Sequence, residues 1–154
     1  MIESRESDLH WLKLAIELSR NCAKTDKSFA VGAVVLDWSG QLVSTGFSLE
    51  LGPGWHAEEA ALHKAAQQGA DLQDGTIYSS LEPCSTRLSG NRCCADLIAE
   101  AGIRRVVFAL KEPPIFVNGA GMAVLLQRGV NVTQLQELGP EVEEINRHLL
   151  ARET

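Results

Sequence analysis

The sequence predicts an α/β fold: a three-layer α-β-α sandwich around a five-stranded mixed β-sheet, with strands four and five parallel. Two observations support this fold class. The chain has 154 residues, of which 45% are hydrophobic, enough for one domain with a sizeable core. Its residue patterns follow the order α-β-β-α-β-α-β-α-β-α. A hairpin followed by strand–helix alternation gives a mixed sheet, and a helix between two strands implies that they are parallel.

The boundaries of these elements come from apolar periodicity and from turn residues. Asp8 is the predicted N-cap of the first helix. Gly32, inside the first strand, predicts a close approach of its backbone, either to a packing neighbour or to a ligand. We see no internal repeat or linker, so residues 1–154 are expected to form a single domain. The predicted helices span residues 9–22, 56–68, 93–101, 122–128 and 140–150, and the predicted strands span 29–36, 41–46, 76–81, 104–110 and 130–132.

Charge and hydropathy narrow the possible functions. The formal net charge is −6, which gives no long-range attraction to nucleic acid, so a small-molecule substrate is favoured. No apolar run reaches the ~18 residues of a membrane span, and residues 1–8 have no secretory h-region. We therefore expect a cytoplasmic protein with no membrane association. In that compartment the four cysteines stay reduced and are better suited to metal than to disulfides.

The residues that indicate chemistry are His56-Ala57-Glu58, Cys84 and the pair Cys93-Cys94. One imidazole and two thiolates form the ligand set of a catalytic Zn²⁺ that keeps its fourth position open for water. Glu58 is two positions after His56, so in a regular helix their side chains would point about 200° apart. His56 must therefore lie at the helix cap, before the chain becomes helical, if both side chains are to reach one site.

Either Cys93 or Cys94 could complete the ligand set. Adjacent residues on a helix point about 100° apart, so only one of them can face His56 and Cys84. The other would pack in the core as a small hydrophobic side chain.

The order His-x-Glu, then Leu81-Glu82-Pro83-Cys84, resembles the zinc nucleobase deaminases. The eight residues from Ser85 to Arg92 and the doubled cysteine resemble the deaminase half of the bifunctional riboflavin-biosynthesis deaminase/reductase. The similarity extends from about residue 9 to 149. It implies a cytidine deaminase-like fold, one Zn²⁺ per chain on His56, Cys84 and Cys93, and Glu58 as a proton shuttle. It further implies hydrolytic deamination of an amino-substituted pyrimidine with release of ammonia, and a homo-oligomer.

The same resemblance suggests substrate contacts. Ser28 stands where the family has an asparagine that contacts substrate, and Ser89 stands where it has a basic residue that helps to hold the substrate phosphate. Main-chain groups near Ala57 and Ser80 are expected to hold the ring. Trp55 could stack on the ring, although a tryptophan in this loop could equally pack against the core.

The phosphoribosyl contacts of the family are altered in this chain. Arg87 or Arg92 could replace the charge lost at Ser89 from a neighbouring position. The stretch Glu112-Pro113-Pro114-Ile115 replaces the family's Asp-Pro-Asn-Pro. We therefore expect the zinc chemistry to be retained and the substrate recognition to differ.

Two other functions remain open at this point. A purine, tRNA or single-stranded nucleic-acid deaminase would need a basic channel, which the net charge of −6 disfavours. A catalytically silent zinc-binding subunit would not need Glu58, and structural zinc sites usually close with four protein ligands.

Overall fold

A computed structural model describes residues 4–87, 90, 92–116 and 119–150 of the chain. The helices are α1 (Arg5–Ser19), α2 (Ala57–Gln67), α3 (Cys94–Glu100), α4 (Gly121–Gln127), α5 (Gly139–Ile145) and α6 (Arg147–Leu150), with a 3₁₀ turn at Gln136–Leu138. The strands are β1 (Gly32–Leu36), β2 (Leu42–Phe47), β3 (Thr76–Leu81), β4 (Arg105–Leu110) and β5 (Asn131–Gln134). Among the described residues, no helix combines the length and apolar character that crossing a membrane requires.

The five strands form one mixed sheet in the order β2-β1-β3-β4-β5. Strand β1 pairs antiparallel with both β2 and β3. The pairs β3–β4 and β4–β5 are parallel, which confirms the mixed sheet and the parallel arrangement predicted for strands four and five. The parallel pairs bring the carboxyl ends of β3 and β4 to one edge of the sheet, and the chain leaves β3 there towards Cys84.

Alternate residues of the strands face two separate cores. Val34 packs with α1 and α5 on one face of the sheet. Its neighbour Val35 packs with α2, α3 and α4 on the other face. Both valines are fully buried, as expected for a strand covered on both sides. The three-layer α-β-α sandwich predicted from the sequence is therefore confirmed.

Gly32 marks the contact between β1 and α1. A Cβ atom at this position would lie 1.9 Å from the carbonyl oxygen of Ala15, so only glycine lets the helix approach the strand this closely. The close backbone approach predicted at Gly32 is confirmed.

The first helix begins earlier than predicted, and Asp8 is not its cap. Ser4 is the N-cap, and its side chain accepts a hydrogen bond from the Ser7 amide. Asp8 lies inside the helix, buried against the sheet, where it accepts hydrogen bonds from Tyr78 Oη at 2.7 Å and Arg105 Nη1 at 2.8 Å. The predicted cap was wrong because an aspartate at the end of a polar stretch fits a cap as well as it fits a buried ion pair.

The last predicted helix is two helices, α5 and α6, with Asn146 between them. The Asn146 side chain is buried and pairs with the Ala30 backbone: Oδ1 accepts from the Ala30 amide at 2.8 Å, and Nδ2 donates to the Ala30 carbonyl at 3.2 Å. This contact joins the C-terminal helices to the segment that enters β1. Apolar periodicity alone gives no sign of it.

Candidate metal centre and active-site cavity

His56 lies immediately before α2, and Glu58 is the second residue of that helix. The backbone of His56 is extended, with φ −86° and ψ 157°, and its amide donates to Glu59 Oε1 at 3.2 Å. Because His56 is not yet helical, its ring and the Glu58 carboxylate both line the same cavity. The predicted position of His56 at the helix cap is confirmed.

Two cysteine sulfurs lie beside the His56 ring. Cys84 Sγ is 3.6 Å from His56 Nδ1, and Cys94 Sγ is 3.4 Å from the same nitrogen. The start of α3 holds Cys84 in place: the Cys94 amide donates to Cys84 Sγ at 3.1 Å, and the Ala95 amide donates to the Cys84 carbonyl at 3.1 Å. The three possible ligand atoms all lie within 4.8 Å of one another.

These separations fit a tetrahedral zinc ion. With Zn–S of about 2.3 Å and Zn–N of about 2.0 Å, tetrahedral geometry puts a sulfur about 3.5 Å from a nitrogen. The observed distances of 3.6 and 3.4 Å agree with that value. Among the described residues, the cluster offers one imidazole and two thiols, which leaves a fourth position open, as in catalytic zinc sites.

Cys93, the predicted third ligand, is not part of this cluster. It is the N-cap of α3, and its sulfur accepts from the Asp96 amide at 3.4 Å, so its side chain is turned towards its own helix. Cys94, one residue later and fully buried, faces His56 and Cys84. This geometry favours Cys94 over Cys93 as the third ligand, one residue later than expected. The prediction placed the start of the helix at Cys93, and a shift of one residue rotates a side chain by about 100°.

The cluster favours the thiolate form of Cys84 over that of Cys94. The hydrogen bond from the Cys94 thiol, followed by the neighbouring His56 ring and the Cys94 amide, lowers the pKa of Cys84. The same contact with Cys84, together with burial, raises the pKa of Cys94. A metal ion in the cluster would favour the thiolate form of both cysteines.

Glu58 is buried and lines the same cavity as the cluster. Burial, and next the negative charge of Cys84, raise the pKa of its carboxyl group. Ser79 Oγ lies 3.1 Å from Glu58 Oε2 and 2.7 Å from the Leu81 carbonyl oxygen. A buried carboxyl group that lines a reaction cavity and has a raised pKa is a candidate to accept and donate protons.

The cluster opens into a cavity of about 610 Å³. Ser28, Trp55 and Ala57, three of the predicted substrate contacts, line it. Trp55 also makes an edge contact with the His63 ring at 5.3 Å between centroids. Ser80 does not line the cavity, because its hydroxyl is used within the sheet, where it accepts from the Gly32 amide at 3.1 Å. Ser89 lies outside the described residues.

Three further residues belong to this region: Arg87, which the sequence offered only as a possible replacement for the charge lost at Ser89, and Glu112 and Glu82, to which it assigned no role. Arg87 and Glu112 both line the cavity, and burial followed by the charges of Cys84 and Glu58 raises the pKa of Glu112 to about 7. Glu82 is buried between two loops: Oε1 accepts from the Glu112 amide at 3.0 Å, and Oε2 accepts from the Met122 amide at 2.9 Å. For Glu112, the sequence did contain a signal: the stretch from Glu112 to Ile115 departs from the family's Asp-Pro-Asn-Pro.

The fold and the cluster define a class of protein, and comparison with known families agrees. Residues 5–110 match the family described as the cytidine and deoxycytidylate deaminase zinc-binding region. That match covers more than half of the chain, so the chain belongs to this family of zinc-binding deaminases.

Relatives within the family point to one branch of it. The chain is 40% identical over 122 residues to the diaminohydroxyphosphoribosylamino-pyrimidine deaminase of Schizosaccharomyces pombe, covering 78% of this chain and 30% of that protein. A diaminohydroxyphosphoribosylaminopyrimidine deaminase/5-amino-6-(5-phosphoribosylamino)uracil reductase from Thermotoga maritima superimposes with a TM-score of 0.84 at 31% identity, over 95% of this chain and 41% of that one. The Rib2 deaminase of Aspergillus oryzae, solved in complex with DARIPP, gives 0.81 at 25% identity, over 93% and 91% of the two chains. The predicted resemblance to the riboflavin-biosynthesis deaminases is confirmed. The chain spans about a third of the length of the curated relatives that it matches, with 30% and 36% for two of them.

Proposed function

We propose that the chain is a zinc-dependent hydrolase that replaces the exocyclic amino group of an amino-substituted pyrimidine with oxygen and releases ammonia. The observation that carries this proposal is the arrangement of His56, Cys84 and Cys94 around an open position, with the Glu58 carboxylate lining the same cavity. The names of the relatives support a pyrimidine as the substrate class.

The donor set fits one zinc ion per chain, held by His56, Cys84 and Cys94. Such an ion supplies a nucleophilic water at neutral pH and polarises the reacting group. The four-ligand closure of a structural site is absent from the described cluster, which contains three candidate ligands. This difference favours a catalytic site over a silent zinc-binding subunit.

Glu58 is the proposed proton shuttle. Its carboxylate accepts the two protons of the attacking water in turn, and delivers the first to the ring nitrogen and the second to the leaving amine. Its burial raises the pKa of the carboxyl group, since desolvation disfavours the charged form. The reaction consumes one water and yields the carbonyl product and ammonia, so Glu58 ends in the state in which it began.

Ser79 can serve both states of Glu58. When Glu58 is ionised, the Ser79 hydroxyl can donate to Oε2 at 3.1 Å. When Glu58 is protonated, the same hydroxyl can turn to the Leu81 carbonyl at 2.7 Å and accept from the carboxylic acid. Because the Ser79 hydroxyl can either donate or accept, it can keep a hydrogen bond to Glu58 in both protonation states.

Substrate contacts from Ser28, Trp55 and Ala57 remain part of the proposal, since all three line the cavity. A homo-oligomer and a cytoplasmic location are likewise kept as predictions.

The experiment that tests the proposal is ammonia release by zinc-loaded protein across a panel of aminopyrimidine bases, nucleosides and nucleotides. The panel includes cytosine, cytidine and diaminohydroxyphosphoribosylaminopyrimidine, with adenosine as a purine. We expect turnover of a pyrimidine. Turnover of adenosine alone would assign the chain to purine chemistry, and no turnover of any compound would contradict the proposal.

A further inference from the structure

Glu82 is a buried carboxylate two residues before Cys84, and it lies outside the cluster of candidate ligands. It is only 5% exposed, and each of its oxygens accepts a backbone amide from a later part of the chain. Oε1 accepts from Glu112 at 3.0 Å, and Oε2 accepts from Met122 at 2.9 Å. Two main-chain donors offset the desolvation of the carboxylate and hold it in one orientation. Glu82 therefore joins the end of β3 both to the segment that follows β4 and to the first turn of α4.

Further contacts join the same elements around Pro83, the residue between Glu82 and Cys84. The Glu82 amide donates to the Leu110 carbonyl at 2.8 Å, which extends the pairing of β3 with β4. A Cβ atom at Gly121 would lie 1.6 Å from the Pro83 carbonyl oxygen, so the two backbones are in direct contact. Proline has a fixed φ, so the backbone between Glu82 and Cys84 has little freedom to absorb a displacement.

Cys84 is held on its other side as well. Ser85 Oγ accepts from the Ala120 amide at 3.2 Å, so residues before and after Cys84 contact the start of α4. The first residues of α3 hold Cys84 itself, through the bonds from the Cys94 amide to Cys84 Sγ and from the Ala95 amide to the Cys84 carbonyl. Cys84 thus lies in a turn that is fixed between α3 and α4.

The position of the Cys84 sulfur matters because the cluster has few ligands. Among the described residues it offers three, so a shift of one sulfur changes a third of the protein coordination of the ion. Groups that hold metal ligands in place without touching the metal typically contribute about 10- to 100-fold in metal affinity or activity. The contacts of Glu82 make it a group of this kind.

Glu82 also lines the cavity, so a direct contact with substrate is the competing role. Each of its oxygens already accepts a backbone amide, and a substrate group would have to share or displace those bonds. The two roles differ in what they change. Loss of a positioning residue alters the metal site in the absence of any substrate, whereas loss of a substrate contact raises KM and leaves the metal site as it is.

We propose that Glu82 is a positioning residue of the metal centre. Its carboxylate holds the backbone that precedes Cys84 and thereby places the Cys84 sulfur for zinc, without coordinating the ion. This inference rests on the proposed zinc site on His56, Cys84 and Cys94, and it adds a residue that acts on the metal through the backbone.

Glu82→Gln tests this role in the full-length protein. Glutamine keeps the size of the side chain, but its amide nitrogen would face a backbone N–H, so one of the two hydrogen bonds is lost. We expect zinc to bind about tenfold more weakly in competition with a chromophoric chelator. Protein loaded with Co²⁺ in place of zinc should show shifted d–d absorption bands, because these bands report the geometry of the ligands. Both measurements are made without substrate.

Asp8→Asn is the matched control. It makes the same chemical change, from a buried carboxylate to an amide, and Asp8 accepts a hydrogen bond from Tyr78, which packs in the core on the opposite face of the sheet from Cys84. A loss of zinc that comes only from lower overall stability should therefore appear in this variant too. We expect Asp8→Asn to bind zinc within about twofold of the parent protein and to keep its cobalt spectrum. Equal losses in the two variants would overturn the inference.

A second measurement covers a variant that folds only when zinc is present. The zinc concentration that gives half-folded Glu82→Gln by circular dichroism then replaces the chelator competition, and it should be about tenfold higher than for the parent protein. Glu82→Gln that stays unfolded at saturating zinc, while Asp8→Asn folds, would place the role of Glu82 in the fold as a whole and overturn the inference.

The remaining outcomes are also decisive. Zinc affinity and a cobalt spectrum like those of the parent protein would show that Glu82 does not position Cys84. A higher KM at unchanged zinc affinity would identify Glu82 as a substrate contact and overturn its positioning role. A parent protein that binds no zinc contradicts the proposed function itself.

Discussion

Replacement of each of the two adjacent cysteines by serine tests whether Cys94 or Cys93 is the zinc ligand. Cys94→Ser removes a thiolate from the proposed zinc site, and Cys93→Ser makes the same chemical change one residue earlier. Both positions are buried, at 0% and 7% exposure, so the comparison controls for burial and for the loss of a sulfur. Serine is also a favourable N-cap, so it can replace the acceptor that Cys93 gives to Asp96.

The size of the effect follows from the number of ligands. Structural zinc sites with four protein ligands bind with about 10–16 kcal/mol, which is about 3 kcal/mol for each ligand. Loss of about 3 kcal/mol corresponds to roughly a hundredfold weaker zinc binding. A site with three protein ligands has a smaller total binding free energy, so the loss of one ligand leaves less to retain the metal. We therefore expect Cys94→Ser to bind zinc at least about a hundred times more weakly and Cys93→Ser to bind it within about threefold of the parent protein.

The assay is competition with a chromophoric zinc chelator at pH 7.5, alongside elemental analysis of protein dialysed against metal-free buffer. Far-ultraviolet circular dichroism of both variants establishes that each is folded. Zinc retained by Cys94→Ser and lost by Cys93→Ser would refute the structural reasoning and restore the ligand assignment predicted from the sequence.

Two further predictions concern stability. Burial would raise the pKa of Asp8, but the hydrogen bonds from Arg105 and Tyr78 outweigh it and hold the pKa below its usual value. The contribution of ionised Asp8 to the free energy of unfolding is therefore complete above about pH 4, and it is lost as the pH falls through the lower folded pKa. Urea unfolding should show Asp8→Asn to be about 3 kcal/mol less stable at pH 7, with the difference shrinking below pH 4; a constant difference would contradict this linkage. A Cβ atom at Gly121 would lie 1.6 Å from the Pro83 carbonyl oxygen, so Gly121→Ala should cost about 2 kcal/mol or more, whereas Gly139→Ala, whose Cβ has its nearest neighbour at 3.5 Å, serves as the tolerated control. Equal unfolding midpoints for the two glycine variants would show that the loop after β3 adapts freely.

The sequence was sufficient for the sheet and for the position of His56 because both follow from local rules. Strand–helix alternation sets the parallel pairs, and the requirement that His56 and Glu58 share a site places the histidine at a cap. The sequence could not choose between Cys93 and Cys94, since the two are chemically identical and a helix start is uncertain by a residue or two. The choice depends on a tertiary contact, the bond from the Cys94 amide to Cys84 Sγ.

The other differences have the same origin in long-range contacts. Asp8 pairs with Arg105, 97 residues later in the chain, and Asn146 pairs with Ala30, 116 residues earlier. Local propensity contains no information about either partner. The same holds for Arg87, whose side chain contacts Gly54 and Glu59, residues of a different segment.

The most direct test of the account is Glu58→Gln in protein loaded with zinc. The three ligand side chains are untouched, so zinc content should stay at the level of the parent protein, at the proposed one ion per chain. Ammonia release from the pyrimidine that the parent protein deaminates should fall by about 10²–10⁴-fold in kcat, since the proton shuttle is lost. Turnover within a fewfold of the parent protein, at full zinc content, would contradict the assignment of Glu58 as the shuttle and with it the proposed mechanism.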